Sequence, residues 1–341
     1  MGVTRQIKVG ILTAPHIEFE QRANTFILKN VRIGIGFHWD RYEDQEFAGT
    51  LTIRNNADGT QTAINTIDLE DYLCSVISSE MNANSPIELL KAHAVISRSW
   101  AIRAMQKPNH EGFDVCADDH CQRYEGLRRM SERAVEAVRA TAGQVLLYND
   151  EICDCRYYKC CGGKTEIWRT CWEDIDVPYI QSVRCDYCKS PSPKILRLVL
   201  NDYDQETKDF RDWKVTYKDE ELNEIIRTKS GIDFGEIIDL IPLHRGASGR
   251  IDQLRIVGTK HTEVIGKELK IRYWLSRSCL YSSWFEVAHE NGVWTLSGHG
   301  WGHGAGLCQI GAAVMATEGK TYEEILTYYY PGTRLNEKMR K

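Results

Sequence analysis

The 341-residue sequence predicts an α+β fold, a β-rich body that carries a two-helix segment and cysteine-rich insertions. Three observations predict it. The first sixty-odd residues contain short runs of branched residues separated by polar breaks, as strands do. After residue 68, apolar side chains recur at spacings of three and four, which is typical of a helix. Strand-like runs return between residues 251 and 296, and two of them flank Asn291-Gly292, a strong hairpin signal.

Residues 1–64 form the predicted amino-terminal β segment. Its strands are expected at Ile7–Leu12, Thr25–Leu28, Val31–Phe37 and Leu51–Arg54. Residues 65–335 are expected to form one domain that contains the two helices and a cysteine-rich insertion over residues 110–190. Two domains that meet near residue 190 are the alternative.

The two-helix segment has clear helix-start signals. Asp68 is the expected N-cap of a first helix that runs to Glu80. Residues 85–88 (SPIE) predict the start of a second helix, with Ser85 as cap, proline at the first helical position and Glu88 completing a capping box. This helix is expected to run to about Met105. It is apolar on nearly every side, so we expect the rest of the fold to surround it.

The remaining elements follow from similar signals. Helices are predicted over about residues 131–142, over Asp219–Lys229, up to Glu318, and from a capping box at Thr321–Glu324 to Pro331. Strands are predicted at Val145–Tyr148, Ile152–Tyr158, Ile251–Val257, Glu268–Trp274, Phe285–His289 and Val293–Leu296.

Composition and charge exclude some functions. The chain is 42% hydrophobic and 27% charged, as globular proteins are, and its net charge of −5 argues against nucleic acid as a partner. No run of eighteen apolar residues occurs, so no transmembrane segment is predicted. The first ten residues lack the apolar centre of an export signal, so we expect a cytosolic protein or the mature chain of an exported one.

Glu80 is the first candidate for chemistry. It continues the apolar stripe of its helix and lies near the helix C-terminus, where the macrodipole disfavours negative charge. Both effects oppose ionisation of the carboxyl group, and a general acid that works near neutral pH needs that opposition. The alternative is a core glutamate that pairs with Lys91 or Arg98.

Cysteine and histidine residues suggest a metal site. His110, Cys116, His120 and Cys121 supply two thiolates and two imidazoles within twelve residues, the composition of a tetrahedral zinc site. A Cys116–Cys121 disulfide or free thiols are the alternatives. A further cluster over Cys153–Cys188 is compatible with a second zinc site or with two or three disulfides, and its spacing does not select between them.

Residues 297–311 place six glycines in fifteen residues. This run meets only a relaxed form of the dinucleotide-binding fingerprint, and too few residues follow it for a full βαβ unit. Its side chains suit a carbohydrate better, with the Trp301 indole for sugar rings and His299, His303 and Gln309 for hydroxyl groups. The alternative is a tight structural turn that packs on the core.

Two pairs of segments resemble a known family. Residues 67–81 (IDLEDYLCSVISSEM) and 88–101 (ELLKAHAVISRSWA) closely resemble the signature of the stage II sporulation protein D family, which also contains the amidase enhancers. Residues 300–312 (GWGHGAGLCQIGA) and 328–332 (YYYPG) resemble its second motif. His93 and Cys308 depart from the family pattern, which usually has Gln and Ser at these places.

The resemblance implies a peptidoglycan lytic transglycosylase. Such an enzyme cleaves peptide-free glycan strands between N-acetylmuramic acid and N-acetylglucosamine and leaves 1,6-anhydro ends. Glu80 maps onto the family's catalytic glutamate, which acts as the single acid and base. Lys91, Arg98 and His303 are expected to orient either Glu80 or the acetamido and lactyl groups of the substrate. The expected substrate contacts are Trp301, His303, Gln309 and Tyr329.

The resemblance also implies a cofactor, partners and a place. Some members hold zinc through a loop that corresponds to His110–Cys121. The expected partners are peptidoglycan glycan strands and a cell-wall amidase, and the expected location is extracytoplasmic. The alternative function is a non-catalytic glycan-binding enhancer of such an amidase.

Overall fold

The computed structural model describes residues 5–35, 40–118, 120–189, 191–200 and 210–336. The strands are β1 (Gln6–Ala14), β2 (Phe19–Gln21), β3 (Thr25–Ile33), β4 (Arg41–Ala48), β5 (Thr50–Asn55), β6 (Gln61–Asp68), β7 (Val115–Cys116), β8 (Leu146–Tyr148), β9 (Glu151–Ile152), β10 (Tyr157–Tyr158), β11 (Asp212–Lys218), β12 (Ile237–Arg245), β13 (Ile251–Gly258), β14 (Thr262–Ile265), β15 (Phe285–Glu290), β16 (Val293–His299), β17 (Leu307–Cys308) and β18 (Arg334–Leu335). The helices are α1 (Leu69–Glu80), α2 (Ile87–Gln106), α3 (Glu132–Ala140), α4 (Trp168–Cys171), α5 (Pro193–Val199), α6 (Asp219–Ser230), α7 (Glu268–Trp274), α8 (Gln309–Thr317) and α9 (Tyr322–Tyr329). The α+β class is confirmed.

The strands form several small sheets. One has the order β5-β6-β1-β7, and β7 runs parallel to β1 at its edge. The others include β2-β3-β4, β12-β13-β14 and β11-β16-β15. The predicted hairpin is confirmed, because Asn291 and Gly292 both have positive φ (52° and 74°) between β15 and β16. The short pair β10-β17 brings residues 157–158 beside residues 307–308.

Two main hydrophobic clusters fill the interior. The larger one joins β1, β3, α1, α2, α8 and α9, and α2 lies at its centre, as its apolar surface predicts. The second one lies between Trp213 and Leu296 and packs β11–β16 with α6 and α7. Among the described residues, no helix combines the length and apolarity needed to cross a bilayer.

Three amino-terminal strands, β2, β4 and β6, escaped prediction, and polar residues obscure the period of the two longer ones. β6 buries Thr62 and Asn65, and the Asn65 amide donates to the Tyr124 hydroxyl at 2.8 Å. β4 is rich in charged residues and forms through antiparallel pairing with β3. β3 itself merges the predicted strands Thr25–Leu28 and Val31–Phe37 through an irregularity after Leu28. Gly36 and Phe37 lie outside the described residues.

The predicted strand Glu268–Trp274 is wrong, because these residues form α7. The Glu268 carboxylate and the Arg272 guanidinium lie 3.4 Å apart in the interior, one helical turn from each other. Ile271 and Leu275 have the same helical spacing and are fully buried in the second cluster. Helical spacing therefore buries the apolar residues and pairs both charges.

The predicted capping box of α2 is also wrong. Pro86 occupies the N-cap position without a side-chain cap, and the Ser85 hydroxyl donates to the Leu198 carbonyl at 2.9 Å. The Glu88 carboxylate accepts from Lys91 Nζ at 2.6 Å and from the Tyr322 N–H at 2.8 Å. Tertiary partners thus replace the local cap.

His93 is a buried polar side chain at the centre of α2. Its Nδ1 lies 3.2 Å from the Ser97 hydroxyl, and its Nε2 lies 3.0 Å from the Gln309 side-chain nitrogen. Burial and, to a smaller extent, the charge of Lys159 lower the pKa of His93 to about 3. The imidazole is therefore neutral at physiological pH.

We predict that His93 makes the fold acid-sensitive. The unfolded chain binds a proton at the ordinary pKa of 6.5 and the folded chain only near 3, so stability is lost as the pH falls between these values. His93→Gln should reduce this slope of unfolding free energy against pH by up to about 1.4 kcal/mol per pH unit. Denaturant unfolding from pH 7 to pH 4 measures it, with the exposed His16→Gln as control. An unchanged slope in His93→Gln would contradict the prediction.

Candidate functional site

Glu80 is the last residue of α1, and its side chain is half-buried. Its Oε1 accepts the Arg123 backbone N–H at 3.0 Å and the Tyr157 hydroxyl at 3.0 Å. Burial, followed by the charge of Glu80, raises the pKa of Tyr157 well above its ordinary value. The phenol therefore stays protonated and donates to the carboxylate.

The segment that carries Arg123 lies along α1. The Tyr72 hydroxyl donates to the Gln122 side chain at 3.1 Å, and the Glu125 N–H donates to the Ser79 hydroxyl at 3.2 Å. These bonds on both sides of Arg123 fix the direction of its N–H. Because the two bonds involve residues about two turns apart on α1, the helix itself sets the position of the donor relative to Glu80.

Tyr157 also connects Glu80 to the glycine-rich segment, residues 297–311. It lies in β10, opposite Leu307 of β17. His303 Nε2 lies 3.0 Å from the Tyr157 carbonyl oxygen, and the Ala305 N–H donates to His303 Nδ1 at 3.1 Å. Nδ1 is thus the acceptor and Nε2 the donor, which is the neutral tautomer. Burial and the nearby Arg156 lower the pKa of His303 well below its ordinary value, in agreement with a neutral ring.

The glycine-rich segment is a packed turn. Gly300, Gly302, Gly304 and Gly306 have φ between 78° and 97°, a conformation that other residues rarely adopt. A Cβ at Gly304 would lie 2.6 Å from the Arg250 guanidinium carbon, so the backbone needs glycine for space as well. These observations support the structural alternative for this run.

The structure buries three of the four predicted substrate contacts, and two of these are aromatic rings. Trp301 is 9% exposed, and its ring packs against Phe210 and Tyr281. Tyr329 is 1% exposed, and its hydroxyl lies 3.2 Å from Cys185 Sγ. Direct substrate contact by these two rings does not fit their burial.

Gln309 and His303 occupy different surroundings. Gln309 begins α8, is 3% exposed and contacts His93, so it joins α8 to α2. His303 is partly exposed, and its ring lies edge-on to Trp172 with centroids 4.9 Å apart. Of the four predicted substrate contacts, His303 has the accessibility that such a role needs.

Lys91 and Arg98 pair with other carboxylates. Lys91 Nζ binds Glu88, as described above, and lies over the Tyr322 ring. Arg98 is 1% exposed and forms two hydrogen bonds with Glu70, of 2.8 and 2.6 Å. Arg98 also donates to backbone carbonyl groups on α3 and beyond it. Both cations therefore stabilise helix packing, and the Arg123 amide and Tyr157 hydroxyl orient Glu80.

The predicted metal ligands converge. The ligand atoms of His110, Cys116, His120 and Cys121 all lie within 4.8 Å of one another. His110 Nε2 is 3.2 Å from Cys121 Sγ, and His120 Nδ1 is 3.8 Å from Cys116 Sγ. Hydrogen bonds from Cys121 and then His120 lower the pKa of Cys116 despite its burial, which favours a thiolate at this position. A set of two thiol and two imidazole ligands at this separation fits one zinc ion.

A second set of ligands is formed by Cys161, Cys185, Cys188 and Cys308. Their sulfur atoms also lie within 4.8 Å of one another, and all four side chains are buried. The sequence grouped three of these residues and gave no reason to add Cys308, which follows 120 residues later.

Sequence reasoning missed Tyr157 and Arg123 as partners of Glu80. The N–H that binds Glu80 belongs to the Arg123 backbone, and every residue except proline supplies such a group, so this contact leaves no signal in the sequence. Tyr157 lies in a predicted strand, and its role depends on the pairing of β10 with β17, two strands that are 150 residues apart. The role of Tyr157 could have been predicted only from this strand pairing.

Family comparison gives two matches along the chain. Residues 57–148 match the family model described as stage II sporulation protein. They contain Glu80, Arg123 and the four predicted metal ligands His110, Cys116, His120 and Cys121, called the histidine–cysteine set below. Residues 166–306 match a domain of unknown function (DUF8618), which covers most of the glycine-rich segment.

Individual relatives extend the similarity beyond these ranges. The chain is 29% identical over 290 residues to stage II sporulation protein D of Bacillus subtilis, which covers 81% of this chain and 76% of the relative. It is 28% identical over 289 residues to an uncharacterised protein of Brachyspira hyodysenteriae, with 84% and 71% covered. It is 26% identical over 295 residues to the amidase enhancer of Bacillus subtilis, which covers 77% of this chain and 40% of that protein. A family domain lies around Glu80 and the relatives align over most of the chain, so the resemblance to the stage II sporulation protein D family is confirmed.

Proposed function

We propose that this protein is a peptidoglycan lytic transglycosylase with Glu80 as its single acid and base. The observation that carries the proposal is the position of Glu80, which the Tyr157 hydroxyl and the Arg123 amide hold where the two motifs of the family meet. Similarity to the stage II sporulation protein D family and to an amidase enhancer supports a cell-wall-related role. The substrate is a glycan strand freed of its stem peptides.

One carboxyl group is sufficient for this reaction. Protonated Glu80 gives its proton to the oxygen between N-acetylmuramic acid and N-acetylglucosamine as the bond to the anomeric carbon breaks. Positive charge then develops at that carbon, as in other glycoside cleavages. The Glu80 carboxylate next removes the proton of the muramic acid C6 hydroxyl, whose oxygen closes the 1,6-anhydro ring. The proton returns to Glu80, and no water is consumed.

The neighbouring groups supply orientation. The Tyr157 and Arg123 donors hold Oε1, so the carboxyl group is fixed before the substrate arrives. His303 is the proposed side-chain contact to the substrate, since its neutral ring is partly exposed. Trp301, Gln309 and Tyr329 are proposed to act indirectly, because they shape the turn and the start of α8 that hold His303 and His93.

The proposed cofactor is zinc held by His110, Cys116, His120 and Cys121. Bound there, the ion supplies a rigid cross-link between parts of one loop. Cys121 lies two residues before Arg123, so the cross-link holds the backbone segment whose N–H binds Glu80. In this proposal the protein's own groups carry every proton transfer.

A second function is favoured by the similarity to an amidase enhancer. Here the protein binds glycan without cleaving it and modifies the activity of a cell-wall amidase. Either function places the protein outside the cytoplasmic membrane, where peptidoglycan lies. Incubation with peptide-free glycan strands separates the two, because only the transglycosylase produces 1,6-anhydro ends, which mass spectrometry detects.

Glu80→Gln should reduce cleavage of peptide-free glycan by about 10²- to 10⁴-fold, because glutamine cannot give and take a proton. Folding should survive, since the glutamine oxygen can accept the same two hydrogen bonds. The rate is measured from the appearance of 1,6-anhydro ends, and thermal unfolding checks the fold. The exposed Glu136→Gln on α3 is the matched control. Near-normal cleavage by Glu80→Gln would end the assignment of this residue.

Tyr157→Phe should lower turnover by about 10- to 100-fold, because it removes one hydrogen bond to a charged group. The adjacent Tyr158→Phe is a close control, since the buried Tyr158 hydroxyl has no hydrogen-bond partner among the described residues. Steady-state cleavage rates of both variants are compared with wild type. Equal rates for the two variants would show that the Tyr157 hydroxyl does not position Glu80.

Zinc should co-purify at the histidine–cysteine set when no metal is added. Cys116→Ser should lose one equivalent of zinc, because it removes one of the four ligands. Cys279→Ser should lose no zinc, because Cys279 lies outside both groups of candidate ligands. Elemental analysis per chain measures the difference. A Cys116–Cys121 disulfide in a mass map of zinc-free protein would refute the site.

A further inference from the structure

We propose that Cys161, Cys185, Cys188 and Cys308 hold a single zinc ion in a second, closed metal site. This site lies behind the glycine-rich segment and is separate from the histidine–cysteine set. Its ligands come from three parts of the chain: the turn after β10, a C-x-x-C pair in the cysteine-rich insertion, and the start of α8. Its role is structural.

The sulfur geometry fits one ion. All four Sγ atoms lie within 4.8 Å of one another, and the pair Cys161–Cys188 is 3.1 Å apart. Tetrahedral zinc with bonds of about 2.3 Å places its sulfur ligands about 3.8 Å apart. The four cysteines are each 0% exposed, so the site leaves no position for water or substrate. Four thiol ligands without an open position are the composition of a structural zinc site.

Backbone amides point at these sulfur atoms. The Gly163 N–H donates to Cys161 Sγ at 3.3 Å, and the Cys161 N–H donates to Cys308 Sγ at 3.3 Å. The Gly311 N–H also donates to Cys308 Sγ, at 3.4 Å. Amide donors of this kind favour the thiolate over the thiol and orient ligands around a metal. These bonds are an observation independent of the sulfur spacing.

The start of α8 adds to this stabilisation. Cys308 is the N-cap of this nine-residue helix, where the macrodipole favours a negative charge on its sulfur. A Cβ at Gly311 would lie 2.9 Å from Cys185 Sγ and 2.2 Å from the Tyr329 hydroxyl. Glycine at this place therefore lets the helix approach the cluster closely. The Tyr329 hydroxyl contacts Cys185 Sγ, so this buried tyrosine belongs to the surroundings of the metal.

A buried cation lies beside the cluster. Arg250 is 0% exposed, and both of its terminal nitrogens lie 3.4 Å from the Cys161 carbonyl oxygen. Four thiolates and one Zn²⁺ carry a net charge of −2, which is costly in the interior without a counter-charge. The guanidinium also binds the Ser248 hydroxyl at 3.0 Å, and that hydroxyl donates to Glu166. Arg250 therefore lies between two anionic groups and offsets part of both charges.

Disulfide bonds are the competing use of these thiols. All twelve cysteines are free in the structure. Two disulfides would divide the four sulfur atoms into pairs, whereas here every sulfur is close to the other three. Shared contact among all four is what a single central ion requires.

The site would hold the turn and α8 in place. Cys308 directly precedes Gln309, which contacts His93, and Cys161 follows Tyr157 by four residues on the segment that reaches Glu80. An ion bound by both cysteines cross-links these segments beneath the candidate active site. Its loss should loosen α8 from the turn after β10.

The first test uses the unchanged full-length chain purified without added metal. Elemental analysis should give two zinc ions per chain, and alkylation of the unfolded, metal-free protein should label all four cysteines as free thiols. Disulfides among the four, or iron in place of the second zinc, would overturn the proposal.

The second test separates the two sites. Cys308→Ser should lose one zinc, and the buried Cys171→Ser, from the same cysteine-rich stretch, should retain both. In a Cys116→Ser, Cys121→Ser double variant, zinc X-ray absorption should show four sulfur neighbours at about 2.3 Å. This measurement leaves the proposed site intact, so it remains decisive if Cys308→Ser fails to fold. Nitrogen or oxygen neighbours, or no zinc in the double variant, would refute the site.

Discussion

The hydrogen bonds of Tyr157 are the contacts on which the candidate active site depends. The hydroxyl holds Glu80 at the end of α1, and the carbonyl group binds His303 in the glycine-rich segment. One residue of a two-residue strand therefore joins the first motif to the second, although they are more than 200 residues apart. The position of Tyr157 depends in turn on the β10–β17 pairing and on the packing of both strands in the larger core.

Both candidate metal sites flank this arrangement. The histidine–cysteine set lies on the loop whose Arg123 amide binds Glu80, and the four-cysteine cluster lies on the segments that follow Tyr157 and precede Gln309. Short loops and isolated two-residue strands bury little apolar area, so cross-links are an effective way to fix them. Helix α1 places Glu80, and the two proposed metal sites would fix the groups around it.

Buried polar groups in the helical core stabilise the packing of the helices. Between the packed helices, Arg98 forms hydrogen bonds with Glu70, and His93 is within hydrogen-bond distance of Ser97 and Gln309. A fully buried charge or imidazole is costly without such partners. Arg98, a catalytic candidate in the sequence, therefore serves helix packing in the structure. The glycines of residues 297–311 are also structural, because their positive φ values let the backbone pack closely against neighbouring groups.

The sequence by itself determined α1 with its Asp68 cap, the buried α2 and the Asn291-Gly292 hairpin, and it indicated Glu80 and the histidine–cysteine set as candidate site residues. Each of these depends on residues that are close in the chain, so local period, capping and spacing carry the information. Tertiary structure alone decided the partners of Glu80, the pairing of Lys91 and Arg98 with other carboxylates, and the addition of Cys308 to the cysteine cluster. Those contacts join residues far apart in the chain, where no local pattern specifies distance, and only the packing of the core brings them together.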